Sequence, residues 1–444
     1  MSRIKNVMLL QPRSTGGNFE YVAIFRQGML FISAALAQWH GDYTYSREIW
    51  FEDRSGKIDP VKDLEGVDLL LITALINEVP RAYEVARQAK LAHPNLKIIG
   101  GGPHMGPLPG EALREGLMDV IVQREGEDII GQLADVVLTY DGPELKRQLA
   151  KLGGIAFYDE NGFLVQTPPR HIIPSDYITL PDYDSIRDLT PQNPMAAGIV
   201  ETVRGCTENC SFCEVIKQFL GYRMVKRETE IKRLLQLQDL ASRGLIFRSP
   251  LDNRFAVFVT DDLHSPPMQA RKFRAERLER AKAWQPYTEG MFLISQNRAE
   301  LGGDPEMAQA FRTMGMEMLY VGVESSNAEN LKLVRKRQEP DQVNRDLTRL
   351  SHEFGFTVVA MTIIGLDFDT EESVMEMADW VRTVSKYQTA NLLTPLPATN
   401  NWKTLRPIDA EGNPMVVDQD GNTLPGHPLR PYILYTGRQF VHVD

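Results

Sequence analysis

Over residues 1–140, short apolar runs alternate with stretches whose apolar positions recur every three or four residues. This is the rhythm of strands followed by amphipathic helices. Strands are expected at Asn6 to Leu10, near Tyr43 to Trp50, at Leu69 to Thr73, at Lys97 to Ile99 and at Asp119 to Val122. Helices are expected at Phe25 to Trp39, at Val79 to Ala92, briefly around Glu111, and from Gly126-Glu127 to Val137. Alternation of this kind puts the strands in parallel, so the region reads as a five-stranded, doubly wound α/β domain of Rossmann-like type. A ligand of such a domain sits at the carboxyl ends of the strands. Gln11 to Asn18, Thr73 to Glu78, Gly100 to His104 and Arg124 to Glu127 fall there.

Residues 141–195 break the rhythm. Ile155 to Tyr158 and Phe163 to Gln166, joined around Asp159 to Gly162, form a hairpin pattern. Thr167 to Pro194 carries Pro168, Pro169, Pro174, Pro181, Pro191 and Pro194 and reads as an ordered linker over the domain junction. Between residues 196 and 400 six more strands are expected, each followed by helical or loop sequence. They run Gly198 to Val203, Phe255 to Thr260, Gly290 to Gln296, Glu317 to Glu324, Thr357 to Gly365 and Thr389 to Thr394. Six units predict a partial (β/α)6 barrel with its site at the C-terminal strand ends. Residues 401–444 are a C-terminal extension whose abrupt end at Arg438 to Asp444 reads as a truncation. Tyr432, Tyr435, Arg438 and His442 are candidates to line the barrel mouth, against the plainer reading of a packed tail.

Composition narrows the setting. With 444 residues, 43% apolar and 24% charged, the chain has room for two or three domains with sizeable cores. No run of eighteen uncharged apolar residues occurs, and the N-terminus leads straight into a strand pattern, so a cytoplasmic protein without a membrane span is expected. A net charge of −10 argues against nucleic acid as the main substrate, because phosphate binding calls for a basic face.

The chemistry gathers in one run, Arg204-Gly205-Cys206-Thr207-Glu208-Asn209-Cys210-Ser211-Phe212-Cys213-Glu214, which holds all three cysteines of the chain. Structural zinc sites and electron-transfer cubane clusters normally close with four ligands, so three thiolates leave one metal position open. Two plainer readings stand beside this: a zinc knuckle completed by a distant residue such as His264, or a reduced thiol cluster without metal. The spacing C-x3-C-x2-C, with Phe212 before the last cysteine, resembles the signature of the radical S-adenosylmethionine (SAM) superfamily. That resemblance implies a 4Fe-4S cluster on Cys206, Cys210 and Cys213, with SAM on the fourth iron and a 5'-deoxyadenosyl radical as the reactive species. It also implies an external electron donor such as flavodoxin or ferredoxin.

Polar residues at the expected strand ends are the next candidates: Asp261 and Asp262, Gln296, Glu324 and Ser325, and Asp367. By the same resemblance these bind SAM. Asp261 or Asp262 would take the place of the family's Gly-Gly-Glu motif, which is missing here, and meet the methionine ammonium. The alternative for either Asp is capping of the following helix. Glu324 closes an apolar strand, where a carboxylate needs a ligand or a basic partner. Arg335 to Arg337 and the charges from Arg271 to Lys282 read as solvated helix faces, and Met314, Met316 and Met318 as core.

A Rossmann-like domain ahead of such a barrel, with Gly101-Gly102-Pro103-His104 and Arg124-Glu125-Gly126-Glu127, resembles the cobalamin-binding radical SAM proteins. So does Thr394-Pro395-Leu396-Pro397 after the last strand. The resemblance implies cobalamin near Thr73, Gly101, Gly102, Gly126 and Glu127. The cobalt-ligating pattern Asp-x-His-x-x-Gly of other cobalamin proteins is absent. With no further cysteine, second-cluster methylthiotransferases and cysteine-shuttle RNA methylases are excluded. The expected activity is a cobalamin-dependent C-methyltransferase acting on an unactivated carbon of a small molecule, lipid or tetrapyrrole. A radical oxidase or cyclase of tetrapyrrole type is the alternative, and a non-catalytic metal-binding scaffold the third.

Overall fold

Strand β3 (Leu69–Thr73) has its first four residues buried and lies inside a sheet of strands covered on both faces. Its sheet also contains β1 (Arg3–Gln11), β2 (Tyr43–Phe51), β4 (Lys97–Gly101) and β5 (Val120–Val122), all parallel, in the order β2-β1-β3-β4-β5. On one face Met8, Leu10, Leu70, Ile72 and Ile98 pack with Val79, Ala82, Tyr83 and Ala86 of the helix Val79–Ala92. The alternate residues Leu9, Leu71 and Ile99 are buried as well. Burial of both parities explains why these strands read as continuous apolar runs. The computed structural model describes residues 3–14, 25–267, 270–407 and 440–442, and the chain divides into two compact units, Met1–Leu189 with Pro395–Asp444, and Thr190–Thr394.

The hairpin of β6 (Ile155–Tyr158) and β7 (Leu164–Gln166) is present, but it joins the sheet instead of standing in a linker. Ile121 pairs antiparallel with Ala156, so the sheet has seven strands where five are expected. The cause is the open edge of β5, whose unpaired amides and carbonyls the hairpin covers. The proline-rich stretch also packs on this unit: Ile186 bridges to Ile49, Arg187 lies over the Trp50 ring at 4.1 Å, and Asp182 accepts from Ser33 Oγ at 2.6 Å.

In the second unit the expected first strand is split. β8 (Gly198–Val200) stays in the main sheet, and after Val200 the chain turns away to form β9 (Val203–Arg204), which pairs antiparallel with β10 (Arg223–Met224). β11 (Phe255–Val259), β12 (Met291–Asn297), β13 (Met316–Glu324), β14 (Thr357–Ile364) and β15 (Tyr387–Leu392) follow. With β8 they form a parallel sheet in sequential order, β8-β11-β12-β13-β14-β15, as a partial barrel requires. The protein is thus α/β throughout, a Rossmann-like unit followed by a second parallel sheet.

Beyond residue 400, β16 (Leu405–Pro407) pairs antiparallel with β17 (Phe440–His442). Tyr432, Tyr435 and Arg438 lie outside the described residues. Among the described residues no helix is long and apolar enough to cross a membrane.

Candidate functional site

The loop from Gly205 to Tyr222 carries the three cysteines and is closed at its base by the β9–β10 ladder, where Arg204 faces Arg223. Gly205 opens it with φ +86°, and a Cβ there would stand 1.9 Å from the Gly221 carbonyl oxygen. Only glycine admits both the backbone angle and the crossing. Within the loop the Cys213 amide donates to the Cys210 carbonyl at 3.2 Å, and the Glu208 amide donates to Sγ of Cys206 at 3.4 Å. Amide hydrogen bonds of the second kind stabilise the charge on a metal-bound thiolate. The Ser211 amide reaches the Val334 carbonyl at 3.0 Å, Phe212 packs on Val334, Ile363 and Leu366, and Glu208 lies 3.2 Å from Arg298.

No cysteine is in a disulfide. Burial raises all three thiols, Cys213 to about 12, so metal binding there means replacing a proton by a cation. Three sulfurs on one short closed loop, one already accepting an amide, fit the three irons of a cluster that protein thiolates hold. Among the described residues no three His, Cys, Asp or Glu side chains gather as ligands of a single ion, and thiolates that each hold a different iron need no common centre. His264 is not placed as a fourth ligand. Its ring is buried, donates from Nδ1 to Asp261 at 2.8 Å, and packs against Phe311 and Trp284.

The structure separates the two aspartates after β11. Asp261 is 0% exposed and accepts from the amides of Thr202 at 2.6 Å and Val203 at 2.8 Å, as well as from the Thr202 hydroxyl. Burial alone would raise its carboxyl; the bond from His264, the Arg277 charge and the Thr202 hydroxyl outweigh it and hold the group below the usual range. Asp262 is half-buried and accepts from the Gly205 amide. Burial, and then the neighbouring Asp261 and Glu201 charges, push its carboxyl up to about 7. It lies near enough to Cys206 and Cys213 for its charge to raise both thiols.

Gln296 is half-buried near the end of β12, and its carbonyl accepts from the His264 amide at 3.0 Å. Glu324 does have a basic partner, Lys336, at 2.7 Å. Ser325 Oγ accepts from Asn327 N at 3.1 Å and Asn330 Nδ2 at 3.4 Å. Asp367 is exposed, whereas Asp369, which sequence reasoning passed over, closes that turn by accepting from the amides of Gly365 and Leu366 at 2.8 and 2.9 Å.

Three cations read as solvated are buried. Arg277 is 1% and Arg280 7% exposed, and the Lys336 side chain 9%. The helix Arg271–Trp284 turns one charged face inward because Glu230 is there to meet it. Arg280 lies 2.6 Å from Glu230, Arg277 3.9 Å, and Trp284 Nε1 donates to it at 3.1 Å.

One face of the second sheet is less covered than the other. Val259, Ser295 and Leu319 are partners across β11, β12 and β13 and are all 0% exposed. One position earlier, Phe258, Ile294 and Met318 form a half-buried row, and Gln296 with Tyr320 continues it. Phe258 and Tyr320 meet edge to face, 5.9 Å between centroids. Parallel sheets are normally covered on both faces, and among the described residues this face of the second sheet is the less covered one. Met314 and Met316 are core as expected; Met318 belongs to the open face. Phe255–Val259 and Met291–Ile294 are apolar at every position, so nothing in the sequence pattern marks which face of β11 and β12 is the less covered.

In the first unit Thr73 and Gly101 are register partners at the ends of β3 and β4. Gly102 follows with φ +90°, where a Cβ would stand 2.2 Å from Thr73 Oγ1. These three are gathered at one strand end and half-buried, while Gly126 and Glu127 are buried in the turn before the helix Ile130–Thr139. Backbone amides and a hydroxyl at the strand ends of a doubly wound sheet suit a nucleotide-tailed ligand. His104 is not offered to that ligand. It is buried, with Nε2 3.1 Å from Glu111, which also accepts from Tyr83 at 2.9 Å.

Comparison with known proteins agrees with both units. The radical SAM superfamily model matches residues 200–381, and the B12 binding domain model matches residues 28–134. An uncharacterised methyltransferase, PH0819, of Pyrococcus horikoshii is 29% identical over 76% of this chain and 69% of its own length. The hopanoid C-3 methylase of Methylococcus capsulatus is 25% identical, over 73% of this chain and 58% of its own. The anaerobic magnesium-protoporphyrin IX monomethyl ester cyclase of Cereibacter sphaeroides is 26% identical, over 76% and 53%. The chain therefore spans between 53% and 69% of the length of these relatives.

Among solved structures, the methyltransferase TsrM from Kitasatospora setae, with cobalamin and a 4Fe-4S cluster bound, superposes with a TM-score of 0.67 at 15% identity. The match covers 100% of this chain and 84% of that one. The cobalamin-dependent enzyme OxsB, with aqua-cobalamin and SAM bound, gives 0.66 at 16%, over 87% and 53%. At such identities the likeness is one of fold. The cysteine loop falls inside one family match and the strand-end glycines inside the other, so the chain carries a radical SAM domain with a B12 binding domain ahead of it.

Proposed function

We propose that this protein is a cobalamin-dependent radical SAM methyltransferase acting on an unactivated carbon of a small molecule, lipid or tetrapyrrole. The observation that carries the reading is the closed loop holding Cys206, Cys210 and Cys213, with no other cysteine, in a chain whose other unit matches the B12 binding domain. When bound, the cluster supplies the electron that cleaves SAM to a 5'-deoxyadenosyl radical, and cobalamin supplies a methyl carrier.

In this reading the three thiolates hold the cluster and Asp262, beside the loop, receives the ammonium of SAM. Gln296, Glu324, Ser325 and Asp367, at the ends of the next strands, surround the rest of SAM, and Phe212 seats the loop. Thr73, Gly101 and Gly102, with Gly126 and Glu127 behind them, receive the cobalamin. Phe258, Ile294, Met318 and Tyr320 meet the substrate and keep water from the reacting carbon. A flavodoxin or ferredoxin is the expected electron source.

The relatives named as hopanoid methylase and as magnesium-protoporphyrin cyclase support a bulky, largely apolar substrate. The second of them also favours the alternative, a radical cyclase of tetrapyrrole type. Anaerobic reconstitution tests the reading. About four irons per chain, 5'-deoxyadenosine formed from SAM with reductant, and label from methyl-labelled SAM in a product carbon are expected. Zinc alone in the protein would sink the proposal, and turnover of substrate without label would favour the cyclase.

A further inference from the structure

Thr202 and Val203 occupy the break where the chain leaves β8 and starts the cysteine loop. The main sheet reaches them no longer: its last bond to β8 is from the Thr260 amide to the Val200 carbonyl at 2.8 Å. Two consecutive buried amides at such a break need an acceptor. Both find it in one atom, Oδ1 of Asp261, at 2.6 and 2.8 Å. The other oxygen, Oδ2, accepts from the Thr202 hydroxyl and from Nδ1 of His264 at 2.8 Å. Arg277 closes the remaining side, donating to Thr202 Oγ1 at 3.0 Å and standing 3.9 Å from Oδ2. Asp261 is 0% exposed, His264 0% and Arg277 1%.

We infer that Asp261 is a positioning residue that pins the entrance of the cysteine loop, with His264 and Arg277 holding it in place, and that it does not touch SAM. Its four hydrogen bonds leave no side open to an ammonium group, and none of its surface is exposed. What it fixes is the direction in which the chain enters Gly205 and Cys206, two and three residues after Val203. Asp262 also holds the loop, through the Gly205 amide, and it keeps the partial exposure that a ligand needs. The inference rests on the iron–sulfur reading of the three cysteines.

Two substitutions separate pinning from ligand binding. Asp261→Asn retains a carbonyl oxygen that accepts both amides, and a neutral His264 can meet the new amide in its other tautomer. Asp261→Ala retains no acceptor. After anaerobic reconstitution beside the wild type, D261N is expected to hold the full iron complement, with the same electron paramagnetic resonance signal after reduction. Its SAM affinity by equilibrium dialysis should lie within about threefold of wild type. D261A is expected to lose at least three quarters of the iron, and Asp262→Asn to keep the iron while losing SAM affinity tenfold or more. A D261N protein with full iron and a tenfold weaker affinity for SAM would make Asp261 a ligand and overturn the inference. Full iron in D261A would overturn it too. Should D261A fail to fold, the iron, resonance signal and SAM affinity of D261N decide alone. A wild type that takes up no iron overturns the cluster reading itself, a distinct result.

Discussion

Nζ of Lys336 lies 2.7 Å from Oε1 of Glu324, and each side chain keeps only 9% of its surface exposed. Glu324 adopts φ +63° to do this, left-handed backbone that costs a non-glycine residue about 1–3 kcal/mol, at a break in the β13–β14 register. Gly322 leaves the room: a Cβ there would lie 2.5 Å from Glu324 Oε1 and 2.8 Å from Lys336 Nζ. Burial alone would lower the Lys336 ammonium, but the facing Glu324 and then Cys210 outweigh it and hold the group above its ordinary value.

Lys336→Met therefore strands a buried carboxylate. Urea unfolding should show a loss of about 3–5 kcal/mol, and adding Glu324→Gln should recover most of it. A single variant within about 1 kcal/mol of wild type would mean that water reaches the pair.

The two glycines that meet at the base of the cysteine loop should respond differently to alanine. Gly221 has φ +79° but nothing within 4 Å of its Cβ position, so Gly221→Ala should cost about 1 kcal/mol and leave iron uptake intact. Gly205→Ala meets the Gly221 carbonyl as well, and iron per chain after reconstitution should fall by more than half. Equal iron in both variants would count against the close crossing.

His264 gives the stability a pH dependence. Burial first, then the Arg277 charge, push the imidazole down from 6.5 to about 4. Between those values the unfolded chain binds a proton that the folded chain refuses, so stability rises with pH. This contribution is fully present above about pH 6.5 and lost as pH falls toward 4, a difference of about 3 kcal/mol at most. Urea midpoints measured across this window should slope less in His264→Gln than in wild type, and an unchanged slope would assign the effect elsewhere.

Tryptophan substitution distinguishes the faces of the second sheet. Leu293, 0% exposed, has no space, and Leu293→Trp should destabilise by about 1–3 kcal/mol or more. Ile294→Trp on the half-covered face should melt within a few degrees of wild type and retain its iron, yet lose product formation. A severe loss of stability in the second variant would close the face as a binding surface.

Much of this was legible because hydrophobic period reports burial. The parallel strands of the second sheet stand where apolar runs such as Phe255–Val259 and Met291–Ile294 predict them, and Leu69–Thr73 announces a strand covered twice. Pairing partners were not legible. The hairpin at Ile155–Tyr158 is a local pattern, while its attachment to Val120–Val122 depends on which edge stands open. Charge was misleading for the same reason. Arg277, Arg280 and Lys336 look solvated among their neighbours, and the carboxylates that meet them, Glu230, Asp261 and Glu324 among them, are brought there by the fold. Asp261 and Asp262 are adjacent and chemically identical, so their division of labour exists only in three dimensions.

The separation between Asp261 and the amides it holds has a consequence for how the protein matures. The three thiols are neighbours along the chain, but the carboxylate facing Thr202 comes 59 residues later, and its Arg277 partner comes 75 residues after Thr202. Contacts this distant form late, after the intervening chain has paid its loop-closure entropy. On the ribosome, Cys206, Cys210 and Cys213 emerge well before the second strand and the following helix can frame them. Iron delivered to the nascent chain meets thiols without a frame, and iron delivered after release meets a loop whose entrance is already set.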